Sequence, residues 1–412
     1  MISLWQPPRS GLISDLTASL PPLWAFSRAS SGTQVQSGVL STVGTNVARF
    51  ETSPDGYLNE PQRTNLLLQS STLTNASWTK SGLAITTSGT APDGVASSAN
   101  LATEDTSLAA HYVSGTGFAT TASTTYVVSA FIKAGTQRYV SVRGEASGLI
   151  ATYPWITLDT TLGTIDANAL ALTPTVLAVS NGFYLVSFTF VAFGIASGGN
   201  IVFAGSNVST APVAASVNGA SYTGTSLTWS AWGAMLAASA FPTSLIQTTT
   251  AAATRAADNL TLDLTQLPNL QTPTGYSCAI EFSLLSNSQS QVVFGMSGSG
   301  GFSNTWYFSE NGAGGVFLTT IVATVGQVSG TTALRAAGLT NRLALTVTPT
   351  GITYNLNGAG DVTVANAGMP VMTTLAVLRA PWGAGNYEAA HATLVTLIPG
   401  PQSAAWRAAM AY

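Results

Sequence analysis

Residues 342–360 read RLALTVTPTGITYNLNGAG. Leu343, Leu345 and Val347 recur at every second position, and so do Ile352, Tyr354 and Leu356 after the Pro349-Thr350-Gly351 step. A period of two puts alternate side chains on one face of a strand. A Pro-containing step between two such runs predicts a pair of antiparallel strands joined by a tight turn. The same texture extends outward on both sides. Before it lie LTLDL, YSCAIEFSLL, QVVFGMSG, TWYFSE and GGVFLTTIVATV, and after it TTLAVLR and ATLVTLI. The chain closes on PGPQSAAWRAAMAY, where Ser403 is a candidate N-cap for one short helix.

Further upstream the pattern repeats with different residues. TTYVVSAFIKA (124–134), QRYVSVRG (137–144), YPWITLD (153–159), GFYLVSFTFVAF (182–193) and LTWSAWGAML (227–236) are separated by Gly, Ser, Asn and Asp turns, among them one at Thr161-Leu162-Gly163. Short strands at intervals of ~8–12 residues predict a sandwich or jelly roll. AAATRAAD (251–258) carries no strand pattern and marks a boundary. Residues 1–60, punctuated by Pro7-Pro8 and Pro21-Pro22, read as an irregular arm or a strand-bearing lead-in with short extended pieces such as TQVQSGVLST (33–42), not as an independent domain. The expected organisation is therefore an arm at 1–60, one sandwich at 61–250, a linker at 251–258 and a second sandwich at 259–412, in an all-β chain.

Composition agrees with that class and excludes others. Of 412 residues, 46% are hydrophobic but only 7% are charged, against ~25% in ordinary domains. Thr, Ser, Ala and Gly occupy positions that Lys and Glu usually take, and 40 Gly with 18 Pro supply turns. A surface so poor in charge suits a protein held in an assembly. The net charge of −3, with Lys80 and Lys133 as the only lysines, gives no basic stripe, so no nucleic-acid partner is expected. No run of ~18 apolar residues exists, so no membrane insertion is expected. The opening MISLWQPPRSGLISD lacks a charged and then apolar leader, so no signal peptide is expected. Cys278 is the only cysteine and lies in an alternating run, which reads as a small core hydrophobe.

Chemistry-bearing constellations are sparse. The histidines are His111 and His391, neither is joined to a G-x-S-x-G turn, and both read as structural or merely exposed. One cysteine and two distant histidines do not make a zinc site. Asp263, Asp361 and Glu388 would have to converge to hold calcium, and lone acids at turns are more often turn formers. No metal and no cofactor are expected. Glycoside hydrolysis needs two carboxylates flanking the bond. Glu281 is the best single acid for that role, and its plainer reading is an exposed strand position, so no catalytic residue is assigned. Aromatic residues are the remaining signal, because sugar rings stack on exposed aromatic faces. Trp306 and Tyr307 in SNTWYFSEN, and Trp382 and Tyr387 in the Gly-rich RAPWGAGNYE, are the candidate glycan-binding residues; the plainer reading is that they cap a sandwich or line a subunit interface.

Several segments also resemble a known family in their order. These are FSRASSGTQVQSGVLSTVGTNVARFE (26–51), EPQRTNLLLQS (60–70), NASWTK (75–80), APDGVASSANL (91–101), FIKAGTQRYVSV (131–142), NGFYLVSFTF (181–190) and WGAMLAASAFPTSLIQTTTAAATRAAD (232–258). Together they resemble the carbohydrate-binding-module-like jelly roll of phage tail-fibre, head-spike and related virion proteins. The part after 258 resembles, chiefly in strand pattern, a concanavalin A-like (laminin G-like) sandwich, with AAWRAAMAY in place of the usual acidic, Leu-rich final helix. The resemblance implies a non-enzymatic virion protein: a head spike or fibre, a decoration protein or a tail-associated one. It also implies homo-oligomers, capsid, portal or tail proteins as partners, and bacterial surface polysaccharide as a target. No family residue maps onto this chain as catalytic. A long coiled-coil or β-helical stalk is absent from the sequence, which favours a compact spike, decoration or adaptor over a free-standing fibre.

Overall fold

The computed structural model describes residues 11–52, 55–146, 154–206, 221–286, 291–299, 301–311, 315–323, 325–334, 336–365, 368–382 and 389–412. The chain is nearly all β, and the one α-helix among the described residues is Ala404–Ala411. It divides into two compact units, each interrupted in sequence. One comprises the chain up to Ser31, Val43–Gln62 and Ala256–Tyr412, and is called the C-terminal sandwich below. The other comprises Gly32–Thr42 and Arg63–Arg255, and is called the central sandwich.

The C-terminal sandwich packs an eight-stranded antiparallel sheet on a seven-stranded one. In the first, Tyr276–Leu284 lies between Thr340–Thr348 and Ala390–Pro399. The strand pair read from residues 342–360 is present, with Thr348 opposite Gly351 and Leu345 opposite Tyr354. Alternation sends Cys278, Ile280, Phe282, Leu343, Leu345, Ile352 and Leu356 inward, where they meet Leu260, Leu262, Phe294, Met296, Trp306, Phe308, Leu318 and Leu375 of the second sheet. Cys278 is fully buried, and burial pushes its thiol well above the ordinary range. The residues that alternate with these leave a flat, small-residue outer face at Ala279 and Ala344, and Trp406 and Ala411 of the final helix cover it. Ser403 caps that helix by accepting from the Trp406 N–H at 3.2 Å.

The described residues within 11–60 carry strands, as a strand-bearing lead-in would, and do not form a separate arm. Leu12–Asp15 pairs with Ala390–Pro399, Trp24–Ser27 with Asn259–Asp263, and Asp55–Asn59 lies between Arg49–Thr52 and Ala390–Pro399. Gly32–Gln36 and Val39–Val43 form a hairpin assigned to the central sandwich, apart from Val43 itself. Pro21-Pro22 punctuates these strands rather than excluding them, and Pro7-Pro8 lies outside the described residues. The expected linker at 251–258 is likewise structured. Ala253–Arg255 pairs with Arg63–Asn65, and Asp258 is fully buried. Both differences have one cause: strands of three to five residues carry too little periodicity to register against distant partners.

The central sandwich packs two six-stranded antiparallel sheets. Val128, Ala130, Ile132, Phe188, Trp229 and Leu236 from one meet Val113, Val140, Val142, Ile156, Leu158, Ile201 and Phe203 from the other. Trp78 stacks on Phe203 at 5.7 Å, over a site where Gly115 leaves room for the indole. The strand Thr228–Ala238 is buried almost throughout because its second face is also covered. There Trp232, Phe131, Phe183, Leu245 and Ile246 pack with Leu40 of the hairpin.

Candidate functional site

The strands Val292–Gly298 and Gly301–Glu310 of the C-terminal sandwich pair antiparallel, with Met296 opposite Trp306 and Gly295 opposite Tyr307. Trp306 faces inward with Phe294 and Phe308, is 1% exposed, and donates its indole N–H to the Tyr276 hydroxyl at 2.7 Å. Burial raises the Tyr276 hydroxyl far above the ordinary tyrosine value, so it remains a neutral acceptor. Trp306 is therefore a core residue and not the exposed platform expected of it. One position along, alternation turns Tyr307 to the outer face, where it is half-buried. Gly295 opposite it is required: a Cβ there would lie 2.7 Å from the Trp306 carbonyl oxygen and 2.8 Å from the Tyr307 Cβ.

Trp382 reaches the same face from another element. It follows the strand Met372–Val377 and a turn in which Leu378 has φ +59°. The turn is held from two sides. Arg379, buried, hydrogen-bonds Asn259 and the Ala380 carbonyl, and the Ser297 hydroxyl donates to the Pro381 carbonyl at 2.8 Å. Trp382, half-buried, then lies 4.7 Å from Tyr307 at 61° and 5.0 Å from Phe302 at 75°. Phe302 is 51% exposed. Of the four residues expected from sequence, the structure brings Tyr307 and Trp382 together and withdraws Trp306. Tyr387 lies outside the described residues. Phe302 was missed; counting by twos puts it on the same face as Trp306, which the structure turns inward. A register shift between Ser297 and Gly298 breaks that count. The available signal was the glycine-rich GMSGSGGFS (295–303), which marks an irregular strand end.

The other candidates are accounted for locally. Glu281 pairs with Arg342 at 2.6 Å and accepts from the Thr393 hydroxyl at 3.0 Å. Asp263 caps a short turn by accepting from the Thr265 N–H, and Asp361 pairs with Arg407. Glu388 lies outside the described residues, among which no cluster of three metal-ligand side chains occurs. His111 sets its ring nitrogens 2.5 Å from the Gly82 carbonyl and 3.1 Å from the Tyr222 carbonyl. Tyr222 donates to the buried Glu104. These contacts fasten the short pair Leu108–Ala109 and Tyr222–Thr223. His391 contacts Glu51 at 3.1 Å. A groove of about 670 Å³ in the central sandwich is lined by uncharged residues including Ser123, Leu170, Thr189 and Val191, and its exposed ring is Phe193.

No known family profile matches the chain, and no curated protein matches its sequence. Among solved structures it is similar to the Ruminococcus gnavus IT-sialidase CBM40 bound to alpha2,6 sialyllactose, at 11% identity and a TM-score of 0.31, covering 36% of this chain and 91% of that one. Domain 4 of AbnA, a GH43 extracellular arabinanase from Geobacillus stearothermophilus in complex with arabinotriose, is similar at 12% identity and a TM-score of 0.30, covering 38% and 73%. The NanB sialidase of Streptococcus pneumoniae is similar at 12% identity and a TM-score of 0.30, covering 37% and 26%. Likenesses this distant do not bear on what this chain binds.

Proposed function

We propose that this chain is a non-enzymatic glycan-binding protein carried on a bacteriophage or phage-like particle, as a head spike or fibre, decoration or tail-associated component. The observation that carries the binding reading is the aromatic surface of the C-terminal sandwich. There the half-buried Trp382 is flanked edge-on by Tyr307 and by the exposed ring of Phe302. Rings fixed by their neighbours stack on the C–H face of a pyranose with little loss of side-chain entropy. The placement on a particle rests on the ordered resemblance over residues 26–258 and on the charge-poor composition. Capsid, portal or tail proteins are the implied partners.

A homo-oligomer is supported by the central sandwich. From Ala167 to Thr254 the sequence holds no charged residue and no histidine, and Leu170, Val191 and Phe193 are each half exposed or more. In a two-fold contact each residue near the axis meets its own copy, so a charge-poor stretch limits self-repulsion.

Binding of the purified protein to surface polysaccharide from host-type bacterial cells tests the reading. Trp382→Ala and Tyr307→Ala are each expected to weaken binding by about tenfold or more without lowering the melting temperature much. Unchanged binding in both variants would remove this surface as the site. Trp306→Ala is a stability variant instead, with an expected cost of about 3–5 kcal/mol.

A further inference from the structure

Resting on the reading of this aromatic surface as a glycan site, we infer that it takes neutral sugars and rejects acidic ones. The inference comes from the cations of the C-terminal sandwich. The described residues that build the surface, 292–299, 301–309 and 380–382, contain no Lys, Arg, His, Asp or Glu. Among the described residues of this unit, every arginine is already bonded within the chain. Arg28 and Arg49 hold Asp258, Arg342 holds Glu281 and Arg407 holds Asp361. Arg379 is next in sequence to the surface, yet it is 6% exposed, bonds Asn259 and the Ala380 carbonyl, and acts electrostatically on the fully buried Tyr57.

A sugar carboxylate that stacks on these rings loses part of its hydration and meets no free cation among the described residues in return. The overall charge of −3 adds a weak, long-range repulsion of polyanions. A neutral pyranose meets no such cost. Its ring face lies on Trp382, and its hydroxyls meet the uncharged rim supplied by Ser299 and Asn304. There the half-buried Asn304 spends its amide on long or single contacts, to the Ser299 carbonyl at 3.4 Å and from the Ala323 N–H at 3.1 Å.

Affinity electrophoresis of the full chain distinguishes the cases. The probes are neutral polymers (dextran, galactomannan and chitin oligosaccharides) and acidic ones (polygalacturonate and polysialic acid). Each is run at low salt and at about 0.5 M salt, where exposed charge interactions are screened. The expected result is retardation by at least one neutral probe, insensitive to salt and lost in Trp382→Ala. Acidic probes should bind about tenfold more weakly or not at all. Retardation by an acidic probe as strong as or stronger than by any neutral one, and lost in Trp382→Ala, would overturn the neutral specificity while leaving the surface a glycan site. No retardation by any probe would overturn the glycan reading itself, and the specificity with it. Circular dichroism of the variant establishes that it is folded, and Tyr307→Ala serves as the second variant.

Discussion

Asp258 concentrates more buried charge around one side chain than its low-charge surroundings suggest. Its two oxygens accept from Arg28 at 2.9 Å, from Arg49, and from the Glu60 backbone N–H at 2.9 Å, and Arg49 also reaches Glu60 at 2.5 Å. Burial alone would lower the Arg49 value, but Asp258 and Glu60 outweigh it, so the guanidinium is held charged well above its ordinary range. Removing one partner of such a group leaves the others buried and uncompensated. Asp258→Ala is therefore expected to cost about 3–5 kcal/mol, read as a lower midpoint in urea denaturation. A change under about 1 kcal/mol would mean that water replaces the carboxylate. None of this was legible in AAATRAAD, where Asp258 looks like one more polar residue of a connector. The aromatic site was half legible. Alternation by itself separates inward Trp306 from outward Tyr307 and could have been used to choose between them. The displacement of Phe302 follows from a register shift that no count along one strand reveals.

At the scale of elements, the strands with long alternating runs were legible because each carries its own signal, as in residues 342–356. The final helix was legible too, through Ser403 and the run of alanines after Pro401. Its docking was not, because it depends on residues far away in sequence. Arg407 donates to Asp361, to the Thr346 hydroxyl at 3.1 Å and to the Gln402 carbonyl at 3.0 Å. The hydrogen bond from Arg407 outweighs burial and holds the Asp361 carboxyl below the usual carboxylate range. A depressed folded value stabilises the protein above the unfolded value of about 3.9, and that stability is lost as pH falls through the folded value. Asp361→Asn should thus cost about 1 kcal/mol at neutral pH, discounted because the side chain is partly exposed. The gap between wild type and variant should close below about pH 3 in a series of thermal melts. A gap that persists unchanged to pH 2 would show that the pair contributes by shape rather than by charge.

At the scale of the molecule, the N-terminal segment makes the C-terminal sandwich discontinuous in sequence, and this has a consequence for folding. A fragment of residues 256–412 contains most of the strand signal that predicts a second sandwich. It nevertheless lacks Leu12–Asp15, Trp24–Ser27, Arg49–Thr52 and Asp55–Asn59. It would expose one whole edge of Ala390–Pro399, strip Asn259–Asp263 of a neighbour, and leave Asp258 buried without Arg28, Arg49 and Glu60. Such an edge invites aggregation, and such a charge opposes burial. By contrast, a fragment of residues 63–255 keeps both six-stranded sheets of the central sandwich. It loses only the hairpin whose Leu40 and Val35 pack on Trp232 and Phe131. The expected outcome is an asymmetry: residues 63–255 give a cooperative, if less stable, thermal transition, and residues 256–412 give none until residues 11–62 are supplied in the same chain. Local periodicity could not have announced this, since it reports which residues form strands and not which distant strands they complete. A cooperative melt of the 256–412 fragment alone would show that the N-terminal strands decorate a sandwich that is already complete.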